Sequence, residues 1–434
     1  MKWKALFLII LMVLVSCRKN ETRKNNDSAE APESISRESL SPLPIRPLSP
    51  ELERLRAAAE QDTSRIRELG VQDEVRMTEL SAWEYGTRTS EMAKLLGSKE
   101  LTLLGRLAIA GGVLPDGTDV GSLAAAFAAM SASASYNPLD KQVLLVSQLK
   151  DKALLVHEFT HALQDQHFDL MKLLGRRPYD FDHTEALFAL IEGDAMNVQR
   201  RFELGKAYEK MPVEQITRQE DARFQEYRKT MGDIFQPLLT ETFAFRYRDG
   251  AAFVETVRRQ RGERGVDGLF RNPPASSEQI IHPEKYFSGE LPREVSFDVS
   301  PFQQNGWQPL VPTALGEIGV RGVLLAGVDS KTALTASSGW GGDIAYLFQK
   351  DGSKPLFVWR TVWDKQSDAN EFLVAYKELM THDGENQVSS SESKDRVEIR
   401  WSKDEHTTVL KRSGDSIEIV RGSEKDATWA AGLE

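Results

Sequence analysis

Residues 151–167 read DKALLVHEFTHALQDQH, and they follow a short apolar run, Val143-Leu144-Leu145-Val146. That run reads as a strand returning from a turn at Asn137-Pro138-Leu139-Asp140, with Ala134-Ser135-Tyr136 leading into the turn. Asp151 opens a helix expected to continue to about Leu174, where Gly175 stops it. On such a helix, residues four apart lie on one face, so the imidazoles of His157 and His161 can reach one metal ion. Glu158 follows the first imidazole and is offset toward the ion's open side. Two neutral imidazoles and a carboxylate suit Zn2+ and leave a fourth position for water. Glu158 is then the expected general base, taking a proton from that water and delivering it to a leaving amine.

The third ligand has competing candidates. His167 lies six residues past His161 and matches the spacing of the extended metzincin motif. That motif places Gly where this chain has Gln164, and Gln favours helix continuation, which turns His167 away from the metal face. Glu192, in Ala189-Leu190-Ile191-Glu192-Gly193-Asp194-Ala195, stands on a second expected helix, Thr184 to about Leu204. The intervening chain lets the first helix finish and a second return beside it. Glu185 is a weaker rival on the same helical face. Ligand histidines donate their far nitrogen to a carboxylate or carbonyl, and Asp194 and Asp165 are candidates for that role. His282, Tyr286 and Tyr247 are candidate donors to a developing oxyanion. His183 reads as a surface or capping residue.

Working outward, residues 51–70 suit one or two helices, residues 121–133 a helix, and residues 205–271 a mostly helical stretch ended by Pro273-Pro274. Residues 276–286 read as a structural clasp on the catalytic helices. Past residue 313 the pattern changes to short strands: 344–348 and 356–362 flank the turn Lys350-Asp351-Gly352-Ser353. A helix opens at Asp368, and residues 397–401, 407–410 and 417–420 are further strands. Residues 339–343 read as a turn before the hairpin, and Trp340, Trp359, Trp363 and Trp401 as core. The fold class is therefore α+β: a mostly helical catalytic domain with a small sheet over residues 50–300, and a C-terminal α+β lobe over residues 313–434.

The run from His157 to Leu170, with Glu192-Gly193-Asp194-Ala195, Pro273–Gln279, His282–Tyr286 and Gly339–Asp343, resembles a group of bacterial zinc-peptidase-like proteins of the gluzincin type. The resemblance covers residues 60–385. It implies a zincin-like fold, His157, His161 and Glu192 as zinc ligands and Glu158 as base. It implies no substrate.

The N-terminus carries Lys2 and Lys4, an apolar run from Ala5 to Val15, then Ser16 and the chain's single cysteine, Cys17. This reads as a secretory leader, too short to span a bilayer comfortably. Leu14-Val15-Ser16-Cys17 resembles the bacterial lipoprotein box, with residues 1–17 the signal peptide and Cys17 the lipidated residue. Residues 18–49 are rich in Ser, Pro, Glu, Asn and Arg without aromatics, as a disordered tether would be. The expected protein is exported and anchored on the periplasmic or cell-surface side. Arg18 is not the Asp that retains some lipoproteins in the inner membrane, which points to the outer membrane where a cell has one. The net charge of −10, with signs interspersed, excludes nucleic acid as a partner, since phosphate binding needs a basic face.

A peptidase acting on a protein or peptide substrate is the leading functional expectation. The alternatives are a zinc-binding scaffold lipoprotein without turnover and a hydrolase of cell-wall amides. Zinc content separates the ligand assignments. One zinc per chain is expected for residues 50–434 of the wild type, with a large loss in Glu192→Ala. Full retention in that variant would move the third ligand to His167 or Glu185.

Overall fold

The computed structural model describes residues 41–433, apart from 45, 124–133, 148–149, 176, 178, 232–236, 311 and 394. The expected signal peptide, Cys17 and most of the expected tether lie outside the described residues. The end of that tether does not: residues 41–44 and 46–49 dock on the body. The Ser41 carbonyl accepts a hydrogen bond from Arg88, Arg46 pairs with Glu84, and Leu43 and Leu48 pack against buried cores. These contacts bury apolar surface that composition alone did not credit to a Pro- and Ser-rich segment.

The protein is α+β, with one small sheet, one large sheet and a helical body. Helix α1 spans Pro50–Arg67, capped by Ser49. Strand β1 (Arg76–Leu80) leads into α2 (Ala82–Ala110) through a capping box of Ser81 and Glu84. Strands β2 (Ala134–Asn137) and β3 (Gln142–Val146) form the expected hairpin. The sheet order is β1-β3-β2, with β1 parallel and β2 antiparallel to β3, so β2 is an edge.

The expected long helix from Asp151 is broken. Helix α3 is Lys152–Phe168, and a separate turn covers Leu170–Leu174. Asp169 between them is left-handed at φ 54°, and two carboxylates make the break affordable. Asp165 accepts from the Leu170 N–H, and Asp169 accepts from the Lys172 N–H. Every residue of α3 from Leu154 to Asp165 is buried, the mark of a helix enclosed on all sides.

Helix α4 (Phe181–Leu204) is buried from Asp182 to Arg200. Helices α5 (Val213–Met231) and α6 (Pro237–Arg271) complete the body. Helices α4 and α6 cross with backbones in contact. A Cβ on Gly193 would fall 2.3 Å from the Gly250 carbonyl carbon, and one on Gly250 would fall 2.2 Å from the Ala189 carbonyl oxygen. Only glycine allows that approach. The clasp segment ties in here: the Ser277 N–H donates to Asp182, and the Ile318 N–H donates to Ser277 Oγ.

The second sheet has seven antiparallel strands in the order β4-β5-β6-β10-β9-β8-β7: β4 (Gln308–Pro309), β5 (Trp340–Gln349), β6 (Leu356–Trp363), β7 (Asn386–Glu392), β8 (Arg396–Lys403), β9 (His406–Ser413) and β10 (Ser416–Gly422). Side chains alternate between its faces, as the pleat requires. Trp359 and Leu347 pack on one face with Trp340, Trp363, Trp401 and Phe372. Val358 and Phe348 pack on the other with Phe302 and Trp307. The four tryptophans are core, each at most 2% exposed.

Helices α7 (Gly316–Leu324) and α8 (Gln366–His382) belong to this lobe. The lobe begins earlier than the expected residue 313, because β4 pairs with the end of β5. Of residues 339–343, expected as a turn, Gly339 is in a turn and Trp340–Asp343 open β5. Asp343 there is buried and accepts from the Leu315 and Gly316 N–H groups and from the Trp340 and Trp359 indoles. Among the described residues no helix is long and apolar enough to cross a membrane.

Candidate metal centre

Helix α3 presents His157 and His161 to the inner face of α4, where Glu192 meets them. The Nε2 atoms of the two histidines are 3.1 Å apart. Glu192 Oε2 is 3.2 Å from Nε2 of His157 and 3.6 Å from Nε2 of His161. Bonds of about 2.0–2.1 Å to a tetrahedral zinc separate ligand atoms by about 3.3–3.4 Å, so three donors already stand at the right spacing. All three side chains are at most 2% exposed.

The hydrogen-bond network decides which nitrogen of His161 is bare. Gln164 Nε2 donates to the Ile191 carbonyl and to Asp194 Oδ2. Its Oε1 therefore faces His161 Nδ1, 2.9 Å away, and that nitrogen must carry the proton. A neutral His161 then turns an unprotonated Nε2 toward His157 and Glu192. A lone pair aimed at a carboxylate and a second imidazole is unfavourable without a cation between them, and it is the arrangement a zinc ligand needs. The donor set therefore fits zinc.

Glu158 stands beside the cluster. Its Oε2 accepts a 2.7 Å hydrogen bond from the Tyr136 N–H on β2. Burial pushes the Glu158 carboxyl up to about 7, with His161 and the Tyr136 N–H acting against it and Glu192 with it. For Glu192, burial also raises, but the two imidazoles outweigh it and hold the carboxyl down at about 2. Burial keeps His157 below its ordinary value; for His161 the Glu192 carboxylate overcomes burial and raises it.

The rival third ligands are engaged elsewhere. His167 is half-buried, with Nε2 on the Gly70 carbonyl at 2.7 Å. Glu185 makes a two-pronged ion pair with Arg246, at 2.7 and 2.6 Å. Asp194 does not touch a histidine; it supports Gln164 and is itself held by Arg67 at 2.9 Å. Asp165 faces away, accepting from the Tyr136 hydroxyl and Lys141. Its backbone position, four residues past His161, is on the ligand face but one turn further along the helix. His183, expected at the surface or as a cap, is buried.

The two catalytic candidates on the clasp are also placed away from the centre. His282 Nε2 pairs with Glu317 at 3.0 Å, and the Tyr286 hydroxyl donates to the Asn272 carbonyl. Their segment is held by α4 and α7 contacts, and among the described residues neither touches the three donors. Tyr247 does approach: its ring stacks on His157 at 6.5 Å. Burial, then the Glu192 charge, raises its hydroxyl pKa well above the usual value.

Sequence reasoning missed Gln164 as the partner of His161 and Arg67 as the support behind it. Gln164 was legible, because it lies three residues past His161 on the same face. Arg67 left no local signal, being 127 residues from Asp194.

A family model described as a domain of unknown function, DUF8575, matches residues 310–430. It covers the large sheet except β4, and none of the metal centre. No curated protein matches the chain. Among solved structures the chain is similar to one described as "Crystal structure of a putative hydrolase with a novel fold from Chloroflexus aurantiacus". The identity is 18%, the match covers 56% of this chain and 92% of that one, and the TM-score is 0.33.

The network predicts a specific loss. Gln164→Leu should remove the acceptor that fixes the His161 proton and weaken zinc affinity about 10–100-fold, the usual cost of deleting such a partner. Competition with a chromophoric chelator measures it, and unchanged affinity would remove Gln164 from the role.

Proposed function

We propose that the protein is a zinc-dependent hydrolase of peptide bonds. The observation that carries this reading is Glu158, a buried carboxylate held by the Tyr136 N–H beside three donors spaced for a tetrahedral ion. His157, His161 and Glu192 would hold the zinc. Bound there, zinc supplies Lewis acidity to a scissile carbonyl and acidifies a water.

The protein's own groups supply the rest. Gln164, backed by Asp194 and Arg67, holds the proton of a neutral His161 on Nδ1, which leaves Nε2 as the nitrogen for the metal. Glu158 is buried beside the three donors, with one oxygen held by the Tyr136 N–H. That suits a group that accepts a proton from water and returns it to the leaving amine. Tyr247, stacked on His157 and close to Glu192, would be the donor to a developing oxyanion. Strand β2 is a sheet edge that contacts the base, and because all four of its residues are buried, an extended peptide would pair with it only after the covering elements move.

The enclosure of the centre favours a second reading. His157, Glu158, His161 and Glu192 are each at most 3% exposed, so entry of a polypeptide requires covering elements to move. A zinc-retaining binding protein without turnover needs no such motion. Glu158→Gln separates the two. On the hydrolase reading it keeps stoichiometric zinc and loses at least about 100-fold in rate, the scale of general base catalysis. Zinc-loaded wild type that cleaves neither peptides nor cell-wall fragments would favour the binding protein.

We also propose a lipid anchor on Cys17, motivated by the leader and the Leu14–Cys17 box. Cys17→Ser should end incorporation of labelled fatty acid and release the protein from membranes. Membrane retention by that variant would count against the anchor.

A further inference from the structure

A cavity of about 200 Å³ lies between the helical body and the large sheet. That exceeds the ~150 Å³ engineered apolar cavity that stays dry and takes up benzene. Its walls are almost wholly apolar. On α4 it is lined by Phe181, Thr184, Glu185 and Phe188, and on α6 by residues from Leu238 to Arg246. Those stretches cover eight and nine residues of helix, which rise about 10–12 Å end to end at 1.5 Å per residue. That is longer than any apolar amino-acid side chain reaches from its Cα. The opposite wall comes from the C-terminal lobe: Val323, Phe357, Trp359 and Tyr376.

One end approaches the metal centre. Phe188 is four residues, one helical turn, before Glu192, and Arg246 immediately precedes Tyr247. Arg246 is 6% exposed and lies over the Phe188 ring at 4.3 Å. Its Nε and Nη2 are used by Glu185, while Nη1 is buried with no hydrogen-bond partner. A buried N–H left unpaired is costly, and it is an available donor at the polar end of an apolar cavity. The guanidinium charge is already balanced by Glu185. A ligand carboxylate would lose its hydration and face that second carboxylate, whereas a neutral carbonyl oxygen meets the free N–H without either cost.

We infer that this cavity binds a long aliphatic chain joined to its carrier through a neutral acyl carbonyl, as in an acyl amide or ester. The binding assignment does not depend on catalysis. Its consequence does rest on the hydrolase reading: the substrates would be acylated peptides, the chain lying in the cavity and the bond to be cleaved at the metal.

The test is titration calorimetry of the full-length zinc-loaded Glu158→Gln protein with N-acylglycinamides of six to twelve carbons, and with the matching free fatty acids. Saturable one-to-one binding is expected. Affinity should rise about fourfold per added methylene until the cavity is filled, from about 0.8 kcal/mol for each buried CH2. The amides should bind more tightly than the acids. Ala108→Trp and Val323→Trp, which fill the cavity from opposite lobes, should abolish the length dependence while zinc content shows that the centre still folds.

Absence of saturable binding would overturn the assignment. So would undiminished binding in a filled variant that retains zinc, or a preference for the free acids. Acyl binding without any cleavage of acylated peptide by the wild type would support the cavity and count against the hydrolase. Cleavage of plain peptides with no acyl binding would do the reverse.

Discussion

The contact on which the centre depends is the backbone crossing of α4 and α6 at Gly193 and Gly250. With no side chain at either position, the helices approach until the Ala189 carbonyl nearly touches the Gly250 α-carbon. That approach places Glu192, next to Gly193, and Tyr247, three residues before Gly250, at the same depth. Both then face His157 and His161 on α3. A wider separation would move Tyr247 and Arg246 away from Glu192 and dissolve the polar cluster into an ordinary helix interface. The centre is thus set by the closeness of two helices as much as by its own residues.

Such a cluster cannot be buried without compensation. Isolated charges in a protein interior cost several kcal/mol each, so each must be paired or neutralised. Arg67, fully buried on α1, meets Asp194, Glu263 and Asp267 together. Through Asp194 it reaches Gln164, and through Gln164 it reaches His161. An N-terminal helix distant in sequence is therefore part of the machinery that sets a histidine proton. On the other side of α4, Arg246 and Glu185 balance one another, which withdraws Glu185 from competition for a metal.

The large sheet lobe has a structural logic of its own. Alternation along β5 and β6 feeds two cores, one under α8 and one under the C-terminal helix Glu424–Ala431. Within this lobe, Asp343 joins the sheet to the start of α7 by accepting four hydrogen bonds, two from backbone and two from tryptophans. Since α7 packs on α6, the buried carboxylate also fixes the sheet against the helical body. The cavity wall supplied by Phe357 and Trp359 depends on that attachment.

How much of this was legible follows from the range of each interaction. The β2–β3 hairpin, the helix after it and the pairing of His157 with His161 rest on spacings of two to four residues, and the chain declares them directly. The hairpin of β5 and β6 and the tryptophan core were readable for the same reason. Strand β7 was not: Asn386–Glu392 is exposed at every residue and held by its neighbour β8, so it has no apolar period to detect. The break at Asp169 was hidden as well, because Gln164 and Gln166 favour continuation and side-chain capping by Asp165 and Asp169 ends the helix.

The sequence by itself determined the α+β class, the helical face that carries both imidazoles and the identity of the carboxylate beside them. Tertiary structure alone decided which distant acid joins that face. Glu192, His167 and Glu185 are all chemically able, and only packing separates them, since one meets the histidines, one meets Gly70 and one is taken by Arg246. The same holds for His282 and Tyr286, right in type but carried elsewhere by the clasp. Local spacing fixes the direction of a side chain on its own helix; which helix comes to face it is set by long-range packing, to which no short stretch of chain testifies.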